Sequence, residues 1–588
     1  MAFNKRFLSI LCLCLVALMV LSACNSSETP KDTNANEEPF ATETDKDGNV
    51  VEIPKPTDTK VPSQRPALDF AGDPTMDGID TSFAKAFADM FTERDLAGAY
   101  DESKCAIIEC AGDKINTSSK AVGVSGSKAL ISKEGTYIIR GTLTDGTIIV
   151  DADDTAKIQI ILDNANITSA THAAIYVKNA NKVFVTLAKG SSNSLKNGGK
   201  FEQTDENNVD APVFTKSDIT FNGTGTLIVE STAGHGIVAK DDLVIAGGNY
   251  KVTASGHAID ANDSIRVTQA NIIAKAGKDA LHAENTDDTS RGYIVICDGE
   301  FDLSAGGDAI SASCDVQIDA GKLKLVAGVG ADMSAETAPS ARGIKAVGNL
   351  LVADGTINIE TPDDAVNVDG SIILAKGSLE VKAGDDAFHA GKAIYAVKAN
   401  VDIKESYECY EAALVEIRGG KHNLNSKDDA INAAGGADGS GESSATAGYL
   451  KISAGEIFVV TDGGDGFDVK GSFEMSGGLV VISVSAKKDH AAFDYNVSGV
   501  ISGGMFVAAG SEHLPALPTS DAQGVLSINA GAQAAGTEVT VTDADGKTVI
   551  YEKVTLDFEV VVVSSPEIVK GQTKNVKIGN QSGSFTAK

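Results

Sequence analysis

Paired carboxylates recur along the second half of this chain at a nearly constant spacing. Asp363-Asp364, Asp385-Asp386 and Asp428-Asp429 each precede an alanine and an apolar residue, and Glu408 with Glu411, and Asp465 with Asp468, hold corresponding places. The step from Asp364 to Asp386 and on to Glu408 is 22 residues, and from Glu408 to Asp429 it is 21. Carboxylates are hard oxygen donors, and Ca²⁺ takes about six to eight such oxygens at roughly 2.3–2.6 Å. If the repeats stack about 4.8 Å apart, equivalent acids on neighbouring repeats reach one cation, which also offsets their mutual repulsion. Asp-Asp-Ala can instead start turns by accepting backbone N–H groups, and a single copy such as Asp241-Asp242 is read that way. For the run in register, the pattern predicts Ca²⁺ held by Asp363, Asp364, Asp385, Asp386, Glu408, Asp428, Asp429, Asp465 and Asp468. Oxygen ligands without a Cys/His cluster favour calcium over zinc.

Three residues beyond each repeat acid lies a second series: Asp260, His282, Ser311, Lys345, Asn367, His389, Glu411, Asn432 and Asp468. Such a mixture of hydrogen-bonding groups can follow an extended polymer, and Lys345, Asn367, His389, Glu411 and Asn432 are the candidate ligand contacts. The chain has no tryptophan, so an aromatic platform for sugar rings is poorly supplied. Tyr293, Tyr395, Tyr407, Tyr410 and Tyr495 remain as local contributors. An anionic sugar bridged by calcium fits this composition better than a neutral crystalline glucan. A lyase reading stays open, in which calcium acidifies the proton α to a uronate carboxylate and Lys or Arg removes it. Arg342 and Lys345 lie in the repeat columns, with Lys392 and Lys421 nearby. No motif marks any of them, and no nucleophile–His–acid constellation is present, so no catalytic residue is assigned. A structural surface adhesin is the third reading.

The scaffold follows from the same period. Gly-His-Gly-Ile-Val-Ala at Gly234, Gly-His-Ala-Ile-Asp-Ala at Gly256 and Lys-Asp-Ala-Leu-His-Ala at Lys278 extend the repeat towards the N-terminus. Each repeat carries three short apolar runs, such as Ala365-Val-Asn-Val, Ile372-Ile-Leu and Leu379-Glu-Val, separated by turn residues. Three strands per turn with no helix between them predict an all-β fold, a right-handed parallel β-helix solenoid of about 22 residues per coil. Val366 and Val368 are expected inside and Asn367 outside. Longer steps are assigned to insertions at Glu284–Gly292, Gly330–Ser340 and Gly435–Gly448, all leaving from similar points of the coil. From about Ser511 the repeat stops, and turn-linked strands predict a small C-terminal antiparallel β domain that caps the solenoid.

Lys5 and Arg6 precede an apolar run from Phe7 to Leu21, and Leu21-Ser22-Ala23-Cys24 follows. The arrangement predicts a lipoprotein signal at 1–24, lipidation at Cys24 and an extracytoplasmic, membrane-anchored protein. Residues 25–94 are assigned to a disordered tether with a short helix over Asp80–Phe91. Residues 95–211 are assigned to an N-terminal β region beginning the solenoid, 212–510 to the Asp-rich helix and 511–588 to the cap. A net charge of −31 argues against nucleic acid, and a monomer is expected. Cys105, Cys110, Cys297, Cys314 and Cys409 give an odd count with no metal-ligand spacing; Cys105 and Cys110 alone are close enough in sequence to pair locally.

The stretch Gly135-Thr-Tyr-Ile-Ile-Arg-Gly-Thr-Leu, with Ile160-Ile-Leu-Asp-Asn-Ala-Asn-Ile-Thr-Ser, Ala174-Ile-Tyr-Val-Lys-Asn, Gly223-Thr-Gly-Thr-Leu and Lys404-Glu-Ser-Tyr-Glu, resembles a family of bacterial carbohydrate-binding lipoproteins first described from a cellulolytic clostridium. The likeness runs from about Asp95 to Ser565. It implies a parallel β-helix like that of polysaccharide lyases, calcium sites, and binding of cellulose and acidic pectin-type polymers, and it brings no established catalytic activity. By similarity the calcium role passes to Asp364, Asp386, Asp429, Asp465 and Asp468. The chain departs from the family pattern at His235, His257 and Arg342, and at Cys409-Tyr410 after Ser-Tyr-Glu.

Overall fold

The computed structural model describes residues 43–44, 50–51, 75–328, 341–434, 448–487, 490–512 and 517–588. Cys24, the expected signal and the tether up to Pro66 (apart from one short strand pair) lie outside them. Within the unit Met1–Lys55, Glu43–Thr44 pairs antiparallel with Val50–Val51. Pro56–Lys588 is a second unit, built almost wholly of strands. No helix among the described residues is long and apolar enough to cross a membrane.

The second unit is a parallel β-helix. Its coils each supply three strands, as in Val366–Val368, Ser371–Leu374 and Ser378–Ala383. Each strand pairs with its equivalent one coil on, so that Val366 sits beside Ile344 and Phe388, and Leu379 beside Ile357 and Val401. Val366 and Val368 are buried and Asn367 half-buried, the expected alternation. The third strand opens on a left-handed glycine: Gly377 has φ +106°, and a Cβ there would stand 2.8 Å from the Gly355 carbonyl oxygen on the previous coil. Inside the later coils, Phe388, Tyr410 and His422 form an edge-on aromatic stack. The Tyr410 hydroxyl lies 2.9 Å from His422 Nδ1. Tyr410 is therefore a core residue and not a sugar contact.

The second strands are apolar on both faces, for example Leu350-Leu351-Val352 and Ile372-Ile373-Leu374, all buried. A strand reads this way when both its faces are covered. The outer cover is an N-terminal strap. Met76 and Ile79 pack on Leu351, Ile373 and Val397, and Phe87, Met90 and Phe91 on Val244 and Val295. Arg418 Nη1 donates to the Thr75 and Asp77 carbonyls, each at 2.8 Å. At the other end Asp95 meets Thr220 Oγ1 at 2.5 Å and Lys182 Nζ at 2.8 Å. The expected helix over Asp80–Phe91 is reduced to single turns, Phe87–Met90 and Glu93–Leu96, and from Thr75 onward the expected tether is bound chain. The reason is reach. The coils of Thr220 and Arg418 are eight pairings apart, roughly 38 Å at ~4.8 Å each. A helix over the intervening strap covers only about 27 Å.

The three insertions do not leave from one point of the coil. Residues 284–292 and 434–448 join a first strand to a second, Leu281–Ala283 to Tyr293–Ile296 and Ile431–Ala433 to Tyr449–Ile452. The middle one joins a third strand, Lys322–Val326, to the next first strand, Ile344–Ala346. Its tip and that of the last insertion lie outside the described residues. At the C-terminal end, Phe558–Ser564 pairs antiparallel with the last coil strand Ser498–Gly510 and with Val525–Gln533. Glu538–Thr542, Thr548–Lys553, Thr573–Ile578 and Gln581–Thr586 form a separate four-stranded antiparallel sheet. None of the five cysteines among the described residues forms a disulfide, Cys105 and Cys110 included.

Candidate functional site

The short first strands align their preceding residues into one column: His235, His257, Asp279, Asp308, Arg342, Asp364, Asp386, Glu408, Asp429 and Asp465. The column has a structural duty that spacing alone does not reveal. Most of its side chains accept the backbone N–H of the column residue one coil on. Oδ1 of Asp364 takes the Asp386 amide and Oδ1 of Asp386 the Glu408 amide, both at 3.1 Å. Asp429 takes Asp465 at 2.7 Å, and Asp465 takes Ala491 at 2.6 Å. His235 and His257 do the same through Nδ1, each at 3.2 Å. This explains why His and Asp alternate at one position: both offer an acceptor at similar reach. Turn-type backbone bonding and an acidic column are thus one arrangement, since each ladder carboxylate spends Oδ1 on the backbone and leaves Oδ2 for a side chain or a cation.

The remaining oxygens are crowded. Asp363, Asp364 and Asp385 present carboxylate atoms within 4.8 Å of one another. Arg342, which has no acceptor to continue the ladder, places Nε 3.9 Å from Asp363 and 3.6 Å from Asp364. Burial, reinforced by Asp363 and Asp385, pushes the Asp364 carboxyl up to about 6. One coil on, Asp386, His389 and Glu411 form a second group. His389 Nδ1 lies 3.6 Å from Asp386 and 3.2 Å from Glu411. The Asp386 hydrogen bond, then Glu411, raise its imidazole to about 9, while burial pushes Asp386 itself upward.

Glu408 is the outlier. It is 9% exposed, and its extra methylene takes it out of the ladder. Oε1 accepts from Asn432 Nδ2 at 3.2 Å, while Oε2, and Oδ1 of Asn432, have no hydrogen-bond partner among the described residues. Burial, then Asp386, Glu411 and Asp429, push its carboxyl up to about 10. Burial also raises Asp429, helped by Asp465, Asp468 and Asp428, and lifts Asp465 to about 6. Asp468 is ion-paired with Lys470 at 2.5 Å.

The outward column stands in register as Lys345, Asn367, His389, Glu411, Asn432 and Asp468. Its members lean on the acids: Asn367 Nδ2 donates to Asp364 Oδ2 at 2.6 Å, as Asn432 does to Glu408. Of the tyrosines expected nearby, Tyr407 is exposed beside the column. Tyr395 packs beside the strap, the Tyr293 ring lies 5.2 Å from strap residue Lys85, and Tyr495 donates to the Leu517 carbonyl. The sequence reading missed the contacts of His282, whose Nδ1 lies 2.7 Å from Asp260 Oδ1. It also missed the His235–His257–His282 ring stack, for which the 22-residue recurrence of histidine was the available signal.

The family model described as carbohydrate-binding domain-containing protein matches residues 125–387. A relative of that description from Acetivibrio thermocellus is 43% identical over 227 residues, which cover 38% of this chain and 79% of the relative. A solved structure of the polysaccharide lyase-like protein from C. thermocellum, a gadolinium derivative, is 32% identical. It covers 42% of this chain and 96% of that one, with a TM-score of 0.39. By its identity to the Acetivibrio protein over most of that protein's length, the chain belongs to the family of carbohydrate-binding domain-containing proteins.

Proposed function

We propose that this chain captures an acidic polysaccharide, of the polygalacturonate kind, through Ca²⁺ held on the Asp364–Asp468 run. The observation that carries the reading is Glu408: a buried carboxylate with one oxygen unpartnered, facing Asp386, Glu411 and Asp429. Without a cation the buried carboxyl stays protonated, and it carries its charge only when paired or metal-bound. A hard divalent ion accepts these oxygens and that of Asn432, and its open positions can take a uronate carboxylate. Lys345, Asn367, His389, Glu411 and Asn432 then bond the sugar hydroxyls. The strap packs on the second-strand sheet, and along the first-strand column Asp385 and Tyr407 are exposed. The Cys24 lipobox would hold the protein, as a monomer, at the outer face of the cell membrane.

Retention on a polygalacturonate gel with Ca²⁺, release by EDTA, and loss of retention in Glu408→Gln are the expected results. Retention that survives EDTA would overturn calcium bridging. Unsaturated uronide product, followed by its ultraviolet absorbance and abolished in Lys345→Ala, would replace capture by a lyase reading.

A further inference from the structure

Nearer the N-terminus the same columns change chemistry. The rings of His235 and His257 stack at 4.9 Å between centroids with 22° between planes, and those of His257 and His282 at 4.0 Å with 15°. His282 belongs to the outward column, and its Nδ1 lies 2.7 Å from Oδ1 of Asp260, a residue only 9% exposed. A carboxylate on Nδ1 keeps the proton there and leaves the Nε2 lone pair free in the neutral ring. That nitrogen faces two more carboxylates, Asp279 Oδ2 and Glu284 Oε2, both at 3.9 Å. Both lie beyond hydrogen-bonding reach. Asp279 spends Oδ1 on the Asp308 amide at 2.8 Å, so Oδ2 is its available oxygen. The same Oδ2 stands 3.2 Å from Nδ1 of His257, which is also 3.2 Å from the Asp279 amide. Nδ1 has one lone pair, so His257 can serve that amide or a cation beside Asp279 Oδ2 but not both, and it joins a metal only by giving up its ladder bond. His257, Asp279 and His282 can each offer a ligand atom with all of these atoms within 4.8 Å of one another.

We infer that His282, Asp279 and His257, with Glu284 at the rim, form a binding site for a borderline transition-metal ion of the Zn²⁺ class, separate from the acid run. In the tetrahedral arrangement zinc takes, ligand atoms about 2.0–2.1 Å from the ion stand roughly 3.4 Å apart, so the 3.9 Å separations must close by about 0.5 Å on binding. Imidazole nitrogen suits zinc, copper and nickel, whereas calcium takes oxygen. Asp260 supplies what a metal-binding histidine needs on its far nitrogen, a carboxylate that fixes the tautomer and raises ring basicity. The inference does not depend on the glycan reading. Glu284 opens the polar insertion at 284–292, so the excursion adds a carboxylate to the two-histidine stretch.

The test uses the full chain, stripped by chelator and then saturated with Ca²⁺, so that oxygen sites are filled. Zn²⁺ is titrated calorimetrically and Co²⁺ is added as an absorbance probe. One zinc per chain is expected, not displaced by excess Ca²⁺, with a visible Co²⁺ band that His282→Ala abolishes. Asp260→Asn is expected to weaken zinc by about 10–100-fold. Glu284→Gln, at an exposed side chain, is expected to weaken it without affecting folding, which keeps the test valid should His282→Ala not fold. Absence of zinc binding, displacement by Ca²⁺, or equal uptake by Glu284→Gln and the parent chain would overturn the inference and leave His282 as an imidazolium paired with its neighbouring acids.

Discussion

Oδ1 of Asp386 accepts the backbone N–H of Glu408 at 3.1 Å, one coil further along the solenoid. The carboxylate that would bind a cation is therefore also part of the fold, and its two duties are separable. Asp386→Asn and Asp386→Ala both remove the charge, but only Asn keeps an acceptor at Oδ1. A buried amide left without its partner costs about 1–3 kcal/mol. The alanine variant should be less stable than the asparagine variant by that amount in urea unfolding, and should exchange the Glu408 amide faster. Both should lose calcium affinity. Equal stability of the two would show that the ladder bond contributes nothing.

Glu408 inverts the usual effect of removing a charge. Its Oε2 is buried with no hydrogen-bond partner among the described residues, and burial, then Asp386, Glu411 and Asp429, act to keep it protonated. In EDTA, Glu408→Gln should raise stability by about 1–3 kcal/mol at pH 8, because folding the parent must protonate a carboxyl that is ionised in the unfolded chain, and the amide has no such cost. In calcium the order should reverse. A site filled at about 1,000 times its dissociation constant adds ~4.1 kcal/mol, which exceeds that gain and which the variant would forfeit. Paired melting curves with and without the ion would detect this crossing, and a variant destabilised under both conditions would contradict it.

The pH dependence of the metal-free chain has a defined sign. Asp364 and Asp465 are lifted from 3.8 to about 6, Glu408 from 4.5 to about 10 and His389 from 6.5 to about 9. A group whose folded pKa is raised binds more protons folded than unfolded. Its contribution is complete below the unfolded value and is lost as pH climbs through the folded one. The carboxyls shed theirs from about pH 4 upward, and His389 between roughly 6.5 and 9. Melting temperature in EDTA should fall from pH 5 to pH 9, and added calcium should flatten that slope, since the ion competes with the protons. A metal-free chain most stable at pH 9 would rule out this electrostatic picture.

Periodicity was enough to read the coil and the alternation of Val366, Asn367 and Val368, because a strand buried on one face repeats every second residue. It was also enough to align Glu408 with Asp386, which their identities alone would hide. It could not assign the column its ladder bonds. Asp and His look dissimilar as letters, and their equivalence is the position of an acceptor atom that only the stacked backbone defines. The strap was hidden for another reason. Phe87 and Met90 read as one face of a helix, while the partner surface is made of outward residues such as Val244 and Val295, far off in sequence. The unbroken apolar runs of the second strands, Ile372-Ile373-Leu374 among them, were the trace it left.

The strap supplies a prediction that separates fold from binding. Asp95, with a side chain 2% exposed, is held by Thr92, Thr220 and Lys182, and the Lys182 side chain is itself only 13% exposed. Asp95→Ala leaves that ammonium without its counter-charge, a loss of about 3 kcal/mol for a buried pair broken on one side. The apolar contacts of the strap are with outer faces of second strands, so its release should expose Val244, Val295, Leu351 and Ile373 and leave the first-strand column in place. Limited proteolysis of Asp95→Ala should cut between residues 75 and 98 well before the parent chain is cut there, and dye binding to exposed apolar surface should rise. Calcium-dependent retention on polygalacturonate should persist. Loss of that retention in the clipped protein would mean that the strap itself contributes to the binding edge.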